Sequence, residues 1–243
     1  MSILKNRLVE EENKSLNDGR IFTTGLIIIS VLALCLVLIL FGEYLWGDTS
    51  KLFGEGRPGT YASVLLLLLI SFSCFKIYVL RSEVGSKKLL EPRLIWLLMA
   101  FGFFFLALDD AIKIHENTEK VVLKHFELAE TAVWDRLDDV IIALYAAIGA
   151  GVLYIFRSEL RRYKFLFGYL LAGFAVLFLM IVLDLISNGL GFFLWLDASE
   201  DAAKLWETNL STLEEVSKVL AEAIFLSGFL KVQHAVSDES KVW

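Results

Sequence analysis

In this 243-residue chain, ionisable side chains gather where long apolar runs begin and end. One such place reads Leu108-Asp109-Asp110-Ala111-Ile112-Lys113-Ile114-His115-Glu116. Another opens a run with Asp138 and Asp139, Asp184 closes a third, and Glu214, Glu215, Lys218 and Glu222 open a fourth. Unpaired anions held out of water repel one another and do not stay ionised, so these acids need cations, basic partners or protons. They outnumber Lys113, Arg136 and Lys218, the bases beside them. Carboxylate oxygens with one imidazole form the ligand set of a divalent cation such as Ca²⁺, Mn²⁺, Fe²⁺ or Zn²⁺. Asp109, Asp110, His115, Glu116, Glu214 and Glu215 are the candidate ligands. Asp138, Asp139 and Asp184 then orient or neutralise the site, and Lys218 with Glu222 forms a deeper gate or proton relay.

The helical repeat gives these residues a direction. On one continuous helix Asp109, Lys113 and Glu116 share a face, flanked by Asp110 and His115. Asp135, Asp138 and Asp139 share another, which continues through Ala143, Ala147 and Gly151, a small-residue stripe of the kind that packs helix on helix. Ser211, Glu214, Glu215, Lys218 and Glu222 fall within an arc of roughly 100°. The same spacings also suit plain salt bridges, Asp109–Lys113 and Lys218–Glu222 at i,i+4 among them. There is no Glu-x-x-His pair and no His-Glu-x-x-His helix, so the di-iron bundle and zinc-protease patterns are missing. Ser211, Thr212 and Ser217 lie near acids, with His115 as the one plausible base for a nucleophile.

The elements that must position these groups are membrane helices. The chain is 57% hydrophobic and 21% charged, with a mean hydropathy of +0.64, well above the range of water-soluble domains. A net charge of −6 argues against nucleic acid as a partner. About 20 apolar residues cross a bilayer, and six segments qualify: 21–46, 61–80, 94–114, 137–156, 165–187 and 211–232. The expected fold is therefore all-α, a six-transmembrane-helix bundle over 21–232 with cytoplasmic tails at 1–20 and 233–243. Fourteen Lys and Arg fall on the side of both termini against seven on the other, which makes that side cytoplasmic and the membrane an inner or plasma membrane. Val122, Phe126, Ala129 and Val133 recur at helical spacing and predict a short helix on the outer interface. Cys35 and Cys74 lie inside spans, where they pack rather than form disulfides.

The string at 105–116 resembles a hydrophobic–Leu-Asp-Asp/Glu-x4-His-Glu motif of uncharacterised bacterial polytopic membrane proteins, with Asp110 standing where Glu is the expected acid. Leu213-Glu214-Glu215 is similar to a second, Leu-Glu-Glu element late in such chains. The resemblance covers about fifteen residues and implies that the two segments act together; it brings no activity with it.

Three functions fit these residues. The first is a cation-binding cavity in the extracytoplasmic half, serving transport, sensing or a partner complex. The second is a membrane-embedded, metal-dependent hydrolase acting on lipid, in which a cation activates water beside a carboxylate base. The third is a structural or assembly subunit, as a homo-oligomer or beside a partner membrane subunit, in the lipid bilayer.

Overall fold

The computed structural model describes residues 2–47, 51–53, 56–82, 91–125, 137–187 and 199–240. Among them the secondary structure is helical throughout: α1 Ser2–Trp46, α2 Pro58–Ser82, α3 Leu94–Ile112, α4 Ile114–His125, α5 Leu137–Ile155, α6 Arg157–Leu160, α7 Leu166–Ser187 and α8 Glu200–Ser240. Five of them carry apolar stretches long enough to cross a membrane: Thr23–Leu45, Pro58–Arg81, Leu94–Ile112, Leu166–Asp184 and Ala202–Glu239. In α5 the apolar stretch is the shorter Leu144–Ile155. The chain is thus a multi-pass integral membrane protein.

Pairwise contacts fix the relative directions of the helices. Ser63 meets Glu222 and Ser73 meets Gln233, offsets of 159 and 160 residues; a constant offset means that α2 and α8 run parallel. Across α3 and α8, Asp110 meets Lys218 while Phe103 meets Phe229. One number rises as the other falls, so these two are antiparallel. Gly173 against Phe225 and Gly228 against Tyr169 make α7 antiparallel to α8 as well. It follows that α3 and α7 point the same way.

Helix α8 is the hub. It is the most buried of the long helices and α1 the least, because a helix carrying charge is the one that most needs shielding from hydrocarbon. Ile70, Cys74 and Ile77 of α2, Trp96 and Met99 of α3, Leu166 of α7, and Val219, Phe229 and Val232 of α8 form the continuous core. Without a hydrophobic drive between helices in lipid, close approach does the work. At Gly228 a Cβ would stand 2.8 Å from Tyr169 Cβ, and at Gly173 one would stand 2.4 Å from Phe225 Cε1, so both glycines are needed for the α7–α8 seam. The outer faces of α1, α2 and α7 expose Ile29, Leu40, Phe72, Leu171 and Phe178, the surface that lipid covers.

Several expectations change here. Helix α8 is 41 residues long, about 61 Å at 1.5 Å per residue, so the expected tail at 233–243 is helical through Ser240. Likewise α1 carries the expected 1–20 tail as helix from Ser2. Of the residues expected in a short interfacial helix, Val122 lies in α4, which begins at Ile114; Phe126, Ala129 and Val133 lie outside the described residues. The stripe on α5 does not pack into the bundle: Ala147 and Gly151 are exposed, and a Cβ on Gly151 would touch nothing within 4 Å.

Candidate functional site

The acid-rich end of α3 is not one continuous helix. Lys113 adopts a left-handed conformation (φ 57°, ψ 54°) and ends α3, its N–H bonding Asp109 O at 2.7 Å. A β-carbon in that region costs about 1 kcal/mol or more, and local hydrogen bonds repay it. Asn117 donates to Ile112 O at 2.9 Å, so a carbonyl left open by the break is satisfied, and Thr118 donates to Ile114 O of its own helix at 2.7 Å. The break removes the shared face assumed for Asp109, Lys113 and Glu116. His115 and Glu116 start a new helix on a new axis, and their side chains lie outside the described residues.

Across from this break, α8 brings Lys218 onto Asp110. Nζ stands 2.5 Å from Oδ1, with side-chain exposures of 24% and 16%, so the pair is largely shielded. Asp109 beside it is buried. One turn further along α8, Glu222 is buried and accepts a hydrogen bond at 2.7 Å from Ser63 of α2. Asp110 Oδ2 and Glu222 Oε2 are buried and accept no hydrogen bond from any described residue. Ser63 lies five residues inside α2, about 8 Å from its start. The network therefore sits within the first third of α2.

The remaining candidates sort around this pair. Glu214 and Glu215 are half-buried on the turn of α8 before Lys218, and the α7–α8 register puts half-buried Asp184 level with Glu214. Asp138 and Asp139 occupy the first turn of α5, where acids complement the helix dipole, and their side chains lie outside the described residues. Thr212 and Ser217 donate to Thr208 O and Leu213 O of their own helix. Among the described residues no three His, Cys, Asp or Glu side chains group as a metal site. The geometry joins Asp110, Lys218, Glu222 and Ser63 from three helices.

A second polar centre went unnoticed in the sequence. Glu159 of α6 is fully buried. Arg81 Nε and Nη2 both stand 3.1 Å from its Oε1, Trp96 Nε1 reaches the same oxygen at 3.5 Å, and Arg162 Nε lies 3.2 Å from Oε2. Arg81 also reaches toward Glu239 at 3.9 Å. Tyr163 packs edge-on against Trp96 at 5.8 Å, and burial pushes its phenol up to about 12. This centre ties α2, α3, α6 and α8 together about 26 Å from Glu222 along α8, with Ile70, Leu226 and Phe229 between the two. The one legible signal was that Glu159 is the sole acid in Arg157-Ser158-Glu159-Leu160-Arg161-Arg162-Tyr163-Lys164.

Removing one partner of a buried ion pair strands the other. Glu159→Ala is expected to cost about 3–5 kcal/mol, read as a lower thermal midpoint in detergent; a midpoint equal to wild type would show that the centre is not buried.

No curated protein and no solved structure matches this chain. A family defined as a domain of unknown function, DUF8692, matches residues 21–232, most of the chain, including Asp110, Lys218, Glu222 and Ser63 of the first centre and Arg81, Trp96, Glu159 and Arg162 of the second. With that coverage, the chain belongs to the DUF8692 family.

Proposed function

We propose that this protein is a six-crossing transporter of the inner or plasma membrane, coupled to cation exchange at Asp110, Lys218 and Glu222. The crossing number is supported by direction: α3 and α7 run the same way, so the chain between them, 113–165, has to return across the bilayer. Helix α5 has 19 residues, about 28 Å of rise, which is one bilayer core. With the positive charge bias of the loops, the Asp110 end is extracytoplasmic and the Glu159 end cytoplasmic.

The observation that carries the function is the Asp110–Lys218 ion pair with spare carboxylate oxygens on both of its sides. Ionisable groups inside membrane helices mark ion pathways and relays. An entering cation meets Asp110 Oδ2 and Glu222 Oε2, neither engaged by a described donor, and competes with the Lys218 ammonium for them. A proton uses this seat directly. A divalent cation draws on the same end, with Asp109, Glu214, Glu215, His115 and Glu116 as further ligands and Asp138, Asp139 and Asp184 as the surrounding charge. The exposed small-residue face of α5, Ala147 and Gly151, favours a second reading: that the chain works beside a partner helix as one subunit of a membrane complex.

Two measurements test this. Proteoliposomes enclosing a pH- or metal-sensitive dye are expected to show cation flux that falls at least about tenfold in Asp110→Asn, an amount corresponding to about 1.4 kcal/mol in the barrier. Flux no higher than in empty vesicles, or equal flux in the variant, would contradict the transport reading. For topology, Cys35→Ser/Cys74→Ser protein carrying either His125→Cys or Lys164→Cys is treated with an impermeant maleimide on intact cells. Residue 125 is expected to react and 164 not; reaction at both would remove the α5 crossing.

A further inference from the structure

We propose that Arg161, Arg162, Lys164 and Lys231 form a seat for the phosphate of an acidic phospholipid headgroup, at the Glu159 end of the α7–α8 seam. Arg161, Arg162 and Lys164 are exposed on the turn between α6 and α7, and the antiparallel α7–α8 register brings Lys231 alongside it. Lys231 Nζ lies over the Phe165 ring at 5.0 Å and the Tyr169 ring at 5.8 Å. The four cations thus lie at one end of the α7–α8 seam, where Lys231 stands over aromatic rings of the type that sits at headgroup level.

Among the described residues, Glu159 is the carboxylate that faces this group, and it pairs with Arg162. Glu159, the one acid of the turn, is fully buried and directed at Arg81 and Arg162. It anchors Arg162 through Nε and leaves that side chain 56% exposed. Among the described residues no carboxylate pairs with Arg161, Lys164 or Lys231. Nearby, exposed Arg157 stacks over Tyr154 at 4.4 Å and adds to the same field. The whole chain carries a net charge of −6, so general attraction to an anionic membrane does not explain this face; it is a local reversal of sign. A basic surface at the ends of membrane helices, with guanidinium forks and ammonium groups, matches a phosphate ester in the headgroup plane.

The test uses the full chain in nanodiscs of phosphatidylcholine, with and without about 30% phosphatidylglycerol, a common anionic lipid. The wild type is expected to melt roughly 4–8 °C higher with phosphatidylglycerol, and the Arg161→Gln/Lys164→Gln/Lys231→Gln protein is expected to lose that gain while melting like wild type in phosphatidylcholine. Should the triple variant fail to reconstitute, Lys231→Gln alone carries the comparison, with about a third of the gain lost. Equal melting in the two lipids, or a gain that the variants keep, would overturn the proposal. So would soluble glycerol phosphate raising the midpoint as far as the lipid does, since the site would then serve a free anion.

Discussion

A helix bearing Lys218, Glu222, Gln233 and Glu239 cannot turn those groups to hydrocarbon, and the rest of the bundle is arranged around that constraint. Each has its polar partner on another helix: Asp110 on α3 for Lys218, Ser63 and Ser73 on α2 for Glu222 and Gln233, and Arg81 on α2 for Glu239. Three of the four lie on one parallel neighbour, so α2 and α8 are locked in register along their length. Side chains that are costly in lipid thereby become the elements that specify which helices pair and at what height. Apolar packing between Ile70, Leu226 and Phe229 fills the space between the polar levels.

The two ends of this arrangement differ in chemistry. At the Glu159 end a buried carboxylate has a guanidinium group beside each oxygen and an indole N–H beside Oε1, and it joins four elements, although Oε2 accepts no hydrogen bond from the described residues. At the Asp110 end one ammonium faces several acids, and two carboxylate oxygens accept no hydrogen bond from the described residues. The Asp110 end carries more acid than base, and the proposed exchange rests on that excess, whereas at the Glu159 end two guanidinium groups face one carboxylate. The αL turn at Lys113 ends α3 beside the Asp110–Lys218 pair.

Much of this was legible in the residues. Apolar length marked four of the five long apolar stretches to within three positions, while the one expected over 211–232 runs from Ala202 to Glu239 and that expected over 137–156 is the shorter Leu144–Ile155. The i,i+4 relation of Lys218 to Glu222 also placed both on the inward face. What escaped was nonlocal. A helical wheel assumes an unbroken helix, and only Asn117 capping Ile112 O discloses why the chain turns at Lys113. Ser63 carries no periodic signal, and its role exists only because α2 lies parallel to α8. Glu159 sat among basic residues whose obvious role was to set topology, and its burial depends on Arg81 from a distant helix. The α5 stripe followed a valid packing pattern, yet Ala147 and Gly151 are exposed among the described residues.

The most direct test of the account is a double-mutant cycle on Asp110 and Lys218, with unfolding followed in lipid for Asp110→Asn, Lys218→Gln and the pair. If the ion pair sits shielded between α3 and α8, each single change strands its partner, and the double variant recovers part of the loss, a coupling of roughly 1–3 kcal/mol. Losses that add to within about 0.5 kcal/mol would mean that the two groups do not meet, and the exchange site at that end of the bundle would fall with them.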